Sequence, residues 1–75
     1  MATQHTARSR RTREDRRVVR KLLLLTERMR DTAQELELAG HVDKAGQLRG
    51  AASVTSGWAM EIEISSARQA QRVAA

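Results

Sequence analysis

The first half of the chain carries apolar residues at a regular spacing. They recur in alternating steps of four and three, at Val18, Leu22, Leu25, Met29, Thr32, Leu36 and Ala39. This heptad pattern predicts an α-helix that packs against another helix at a shallow crossing angle. Leu23, Leu24 and Leu38 lie off the pattern, so we expect this helix to meet more than one neighbour.

Local signals set the boundaries of two helices. Thr12 is the predicted N-cap of the first, because its hydroxyl can accept a hydrogen bond from an amide of the next turn. Gly40 follows the last residue of the apolar pattern and is the predicted glycine beyond the C-cap. Asp43 is the predicted N-cap of the second helix. The sequence therefore predicts helix one over about 12–39, a turn at 40–42 and helix two over about 43–73. Such a short turn makes the two helices antiparallel neighbours.

The second helix has two different faces. We expect the broader one to meet helix one, with Trp58 as its largest core residue, and it consists of Leu48, Ala51, Ala52, Thr55, Trp58, Ala59, Ile62 and Val73. The opposite face consists of Gly46, Gly50, Ser53, Gly57, Met60 and Ile64. Its glycines cost roughly 2 to 3 kcal/mol relative to alanine. Either they let another helix approach closely, or helix two is weak and kinked near Gly57.

The composition limits the fold class. With no cysteine, no proline and a single aromatic residue in 75, the chain favours helices and has no disulfides. A chain this short builds a thin core and usually needs a partner. We therefore predict an all-α protein, an antiparallel two-helix hairpin that dimerises into a four-helix bundle. The interface residues predicted for this homodimer are Leu23, Leu24, Gly46, Gly50, Ser53 and Gly57.

The basic charge is concentrated at the start of the chain. Residues 1–21 contain eight basic and two acidic side chains, a balance of +6, whereas the rest of the chain has a balance of −1. Residues 1–11 have no apolar periodicity, which predicts a flexible basic tail ahead of the helical hairpin at 12–75. A helix that starts near Thr12 places several arginines opposite Val18 and Leu22. The predicted phosphate-contacting residues are Arg10, Arg13, Arg16, Arg17 and Arg20.

These arginines predict a small regulatory or accessory protein that binds nucleic acid through its phosphates. No aromatic residue accompanies them, so base stacking is not expected. One alternative is a helical adaptor whose exposed leucines bind a partner protein, with the arginines meeting an acidic surface. A further alternative is peripheral binding to an anionic membrane surface. A solvated tail that only maintains solubility is the simplest interpretation.

Other kinds of site have little support in the sequence. His5 and His41 are not spaced as metal ligands, so we expect no metal and no other cofactor. The serines and threonines have no histidine at an activating spacing, and there is no glycine-rich phosphate loop, so we expect no enzymatic activity. The apolar run from Leu22 to Leu25 is too short for a secretory signal, and a cytoplasmic location is expected.

Two layouts resemble known helical families. The basic stretch leads into Leu22, Met29 and Leu36 at sevenfold spacing, which resembles a basic leucine zipper. The departures are a pattern of only about three heptads before Gly40 and a second helix after it. In size and hairpin pattern the chain is similar to small plasmid regulators of the Rop type, in which two hairpins dimerise into an RNA-binding four-helix bundle. That likeness implies an architecture and no site residues.

Overall fold

Two long helices form an antiparallel hairpin. The structure is a computed structural model that describes residues 2–74, with the side chains of residues 12–72. Helix α1 spans Ala2–Leu38, helix α2 spans Val42–Ala74, and the part of the chain described contains no strand. The hairpin measures 58 × 17 × 10 Å. The predicted all-helical fold is confirmed.

Helix α1 begins earlier than the sequence predicts. It starts at Ala2, so Thr12 lies inside the helix and is not its N-cap. The residues before Thr12 include Ala, Gln and Arg, which favour helix, and neither proline nor glycine interrupts them. The side chain of Arg10 lies outside the described set, and the predicted flexibility of residues 1–11 stays a prediction.

The turn satisfies the backbone at the end of α1. Gly40 has φ of +93°, a left-handed conformation that costs little only for glycine. The amide of Gly40 donates to the carbonyl of Glu37 at 3.0 Å, and the amide of His41 donates to that of Leu36 at 2.8 Å. These two bonds are the Schellman motif, so the predicted glycine cap is confirmed.

The N-cap of α2 differs from the prediction. The carbonyl of His41 accepts the first bond of α2, from the amide of Ala45 at 3.0 Å, which makes His41 the N-cap. Asp43 was predicted for this role and lies instead in the first turn. Its carboxylate still interacts favourably with the positive end of the helix dipole there.

Between the helices runs a seam with a heptad spacing on both sides. On α1 the seam residues are Asp15, Val19, Leu22, Thr26, Met29, Ala33 and Leu36, alternately half-buried and buried. The sequence correctly predicts Leu22, Met29 and Leu36. The prediction is wrong for the other four positions of the pattern, because Val18, Leu25, Thr32 and Ala39 are exposed. At each of the first three of these positions the seam residue is the next one along the chain, so that Val19, Thr26 and Ala33 replace Val18, Leu25 and Thr32.

The cause of this one-residue shift lies in α2. Ala45, Ala52 and Ala59, seven residues apart, are almost completely buried. Alanines in this row let the helix backbones approach closely and leave little room opposite. Small side chains of α1, such as Thr26 and Ala33, therefore fit the seam better than leucines. The other seam residues of α2 are Leu48, Thr55, Ile62 and Ser66.

Trp58 is not a core residue, in contrast to the prediction from the sequence. It is 53% exposed, and Ala51, about two turns earlier in the same row, is exposed as well. Both lie seven residues apart on the flank of α2, next to the seam and outside it. The side chain of Val73 is not among those described.

The core is thin but its polar groups are satisfied. Thr26 donates to the carbonyl of Leu22 at 2.8 Å, and Thr55 donates to that of Ala51 at 2.9 Å. Among the described residues no buried side-chain polar atom lacks a partner, and no large side chain is fully buried. Little apolar area is therefore removed from water inside one hairpin, which limits its stability.

Candidate nucleic-acid interface

The hairpin has two different broad sides, one on each flank of the seam. Arg49 Nη2 forms a 2.5 Å ion pair with Glu37 Oε2 across one flank. Residues at multiples of seven from Glu37 on α1 and from Arg49 on α2 lie on the same side of the hairpin. Leu23 and Glu63 are two of them. Both of these line a single cleft, as expected. The rows that contain Leu25 on α1 and Trp58 on α2 flank the seam on the other side.

The predicted arginines lie at the open end of the hairpin. The side chains of Arg13, Arg16, Arg17 and Arg20 are all exposed. They follow one another at spacings of three, one and three, so they occupy one arc of α1 that faces away from Leu25. We call these four residues the arginine face. Its members lie together as the sequence predicts, and it can approach an anion without disturbing the seam.

An open cleft adjoins the arginine face. It has a volume of about 500 Å³, and Arg16 and Arg20 line it together with Leu23 and Glu63. Asp15 also lines it and accepts a 2.6 Å hydrogen bond from the Ser66 hydroxyl. The two carboxylates partly offset the positive charge inside the cleft. The strongest positive potential is therefore expected outside it, along Arg13 and Arg17.

The opposite side of the hairpin is apolar. Its exposed large side chains are Val18, Leu25, Val54 and Trp58, each between 45% and 54% exposed. We call these four residues the apolar face. Reasoning from the sequence placed Val18, Leu25 and Trp58 in the core and so missed this surface. The sevenfold repeat of Ala45, Ala52 and Ala59 was the available signal that smaller residues fill the seam.

The residues predicted as a dimer interface do not form one surface. Leu23 lines the cleft, and Leu24 lies on the outer edge of α1. On α2, Gly46, Gly50 and Ser53 are exposed, and Gly57 is half-buried. A Cβ atom added at Gly46, Gly50 or Gly57 would meet nothing within 4 Å. The hairpin itself therefore does not require glycine at these positions, and their role as an interface stays a prediction.

The described residues offer little for other kinds of site. They contain no group of three or more His, Cys, Asp or Glu side chains arranged to hold a metal ion. His41 serves through its backbone, as the N-cap of α2. Over the same residues, neither helix has an apolar stretch long enough to cross a bilayer.

Compared with protein-family models, curated proteins and solved structures, the chain gives no significant match. Its function is therefore inferred from the arrangement of its own side chains.

Proposed function

We propose that this protein binds nucleic acid through the phosphate backbone and acts as a small regulatory or accessory factor in the cytoplasm. The observation that supports this role is the arginine face, four guanidinium groups exposed along one arc of α1. Guanidinium groups match phosphate geometry, and neutralising phosphates releases counterions from the nucleic acid. The role is one of binding and not of catalysis.

Recognition of this kind reads charge and shape more than sequence. The single aromatic residue, Trp58, lies on the apolar face and not beside the arginines, so bases have no stacking partner at the arginine face. Sequence is read mainly through contacts with base edges, which phosphate contacts do not supply. Duplexes of unrelated sequence should therefore bind with similar affinity.

The same proposal includes a homodimer that forms a four-helix bundle. Among the side chains of residues 12–72, ten large apolar ones are at least 45% exposed, whereas the buried ones are alanine, threonine and one valine. Globular proteins usually bury large apolar side chains in preference to alanine. A second hairpin would remove part of this surface from water and supply the stability that one hairpin lacks.

Two other partners remain as competing proposals. Leu38 is 81% exposed and Leu24 is about half exposed, which favours an adaptor that binds another protein. Leu23 and Leu24 also lie three and four residues after Arg20, and basic residues beside leucines suit a surface of anionic lipid headgroups.

One titration distinguishes these proposals. Binding of the protein to fluorescent duplex DNA, duplex RNA and anionic vesicles is measured across a range of salt concentrations. The proposed function predicts binding to duplexes that weakens steeply with salt, and tighter than binding to vesicles. No measurable binding to either duplex at physiological salt would favour the adaptor. Vesicle binding at least as tight as duplex binding would favour the membrane.

A further inference from the structure

The apolar face lies at the middle of the hairpin's length. Three contacts between the helices give their register: Asp15 with Ser66, Met29 with Thr55, and Glu37 with Arg49. Interpolation between these pairs puts Leu25 of α1 level with Trp58 of α2. That level lies about midway between the turn and the end of α2. A second hairpin placed over this point would therefore overlap the first along its whole length.

We propose that a second copy of this chain covers the apolar face, with both turns at the same end of the dimer. In this arrangement α1 of each hairpin packs against α2 of the other, and Leu25 lies against Trp58 of the partner subunit. The proposal rests on the homodimer proposed above and is independent of nucleic-acid binding. It specifies the contact surface and the relative direction of the two hairpins.

The size of the surface fits a stable dimer. The hairpin is 58 Å long and 17 Å wide, so one broad side has a footprint on the order of 1,000 Å². Specific interfaces of standard size bury roughly 800 Å² per partner. The centre of this side is apolar and its margins carry charged side chains, as in an interface with an apolar core and a polar rim.

Charges beside the apolar face select the direction. The next row of α1 contains Glu14 and Lys21, and the corresponding row of α2 contains Glu61 and Arg68, all exposed. With both turns at one end, Lys21 lies level with Glu61 of the partner subunit, and Glu14 lies level with Arg68 of the partner subunit. Opposite charges then face each other at both margins of the interface.

The reversed direction has the opposite effect. With the turns at opposite ends, α1 packs against α1 of the partner around Leu25. Lys21 then comes level with Arg28 of the partner subunit, and Glu14 with Glu35 of the partner subunit. Charges of like sign would face each other at four places in such a dimer, which disfavours it.

The proposed direction also positions the arginine faces. Each arginine face points away from the apolar face of its own hairpin, so neither is covered by dimerisation. Both lie at the open end, on opposite outer sides of the bundle. One duplex can therefore meet one arginine face, and the dimer can hold two duplexes or two segments of one folded strand.

Cross-linking tests the direction, since the chain contains no cysteine. Three single variants are prepared, Lys21→Cys, Glu61→Cys and Arg28→Cys, and mixed in pairs under mild oxidation. A disulfide-linked dimer from Lys21→Cys with Glu61→Cys is expected. A linked dimer from Lys21→Cys with Arg28→Cys would show the reversed direction and overturn the proposal. If neither mixture gives a linked dimer, the apolar face is not covered by a second copy.

A matched pair of substitutions tests the surface. Leu25 and Leu24 are about equally exposed, but only Leu25 belongs to the apolar face. Leu25→Glu should raise the dimer dissociation constant on the order of 100-fold or more, because two carboxylates would enter an apolar interface. Leu24→Glu should leave it within a few-fold. Light scattering measures the mass, and circular dichroism checks that both variants keep their helix content.

Tryptophan fluorescence gives a reading on the unchanged protein. Trp58 is half exposed in one hairpin, so dilution through the dissociation constant should shift its emission to the red. An unchanged spectrum while light scattering reports dissociation would overturn the proposed surface. The samples for these measurements contain no nucleic acid, so they test the dimer separately from duplex binding. A dimer with the expected cross-link that fails to bind duplexes would overturn the proposed nucleic-acid binding and leave the proposed dimer intact.

Discussion

Ser66 donates a 2.6 Å hydrogen bond to Asp15, joining the two helices at the open end of the hairpin. Asp15 occupies a seam position that an apolar residue would otherwise fill, and both side chains are half-buried. A polar pair at one seam position fixes the axial register, because a shift of one helix past the other separates donor from acceptor. The buried positions of the seam are mostly alanine and threonine, whose small side chains do little to set that register.

Loss of the donor should lower stability. Ser66→Ala leaves the half-buried carboxylate of Asp15 without this hydrogen bond, which costs about 1 kcal/mol in the free energy of unfolding. Alanine also raises helix propensity by some tenths of a kcal/mol. Ser65→Ala makes the same exchange at an exposed neighbour, so it measures the gain in helix propensity alone. Urea unfolding at one protein concentration measures both. Equal stability of the two variants would mean that the bond between Ser66 and Asp15 contributes nothing.

The general fold could be predicted because its signals are local. Gly40 is the one glycine with positive φ, and it stands directly after the apolar pattern, so both the break and its cap are visible in the sequence. Helix α1 extended further back than expected because a helix needs no N-cap at Thr12 where favourable residues precede it. Asp43 is a preferred capping residue, but the hydrogen bond from Ala45 identifies His41.

The details of packing could not be predicted in the same way. Leu22 belongs to the heptad pattern whether the seam turns towards Leu25 or towards Thr26. The large apolar residues of α1 predicted Leu25 in the seam. The alanine repeat of α2 instead favours the smaller Thr26 there. Choosing between them requires knowledge of how closely the helices approach, which depends on both sequences at once. The arginine face was easier to predict because exposure of a charged side chain does not depend on such a fit.

The buried alanines should tolerate no larger side chain. Ala52 is 0% exposed in the seam, so Ala52→Leu would force the helices apart and cost about 1 to 3 kcal/mol in the free energy of unfolding. Ala67→Leu, at an exposed position of the same helix, should change stability by less than about 0.5 kcal/mol. Thermal unfolding compares the two. A stable Ala52→Leu protein would show that the seam is not close-packed at this level.

The glycines should respond in opposite directions to substitution. Gly50 has open space for a Cβ and no positive φ, so Gly50→Ala should stabilise the protein by up to about 1 kcal/mol. Gly40→Ala should destabilise it by about 1 to 2 kcal/mol, because alanine is strained at positive φ. Denaturant unfolding measures both changes, and light scattering reports the mass. If Gly50→Ala or Gly50→Leu impairs dimerisation, the glycine surface is the interface and the apolar face is not.

Phosphate binding by the arginine face predicts a defined salt dependence. If Arg13, Arg16, Arg17 and Arg20 each neutralise one phosphate of duplex DNA, log affinity should fall against log salt with a slope near −3.6, at about −0.9 per phosphate. The double variant Arg13→Ala with Arg17→Ala should flatten this slope by about two units. Its helix content should stay almost unchanged, because both residues are exposed and lie off the seam.

The matched control removes the same charge elsewhere on α1. Arg28→Ala with Arg30→Ala changes two exposed arginines beyond the arginine face, so it should leave the slope within about half a unit of the original. Natural and scrambled duplexes should bind nearly alike in every variant. Equal flattening by both pairs would mean that net charge alone attracts the duplex. A slope that neither pair changes would exclude the arginine face as the contact surface, because loss of two phosphate contacts must alter the number of counterions released.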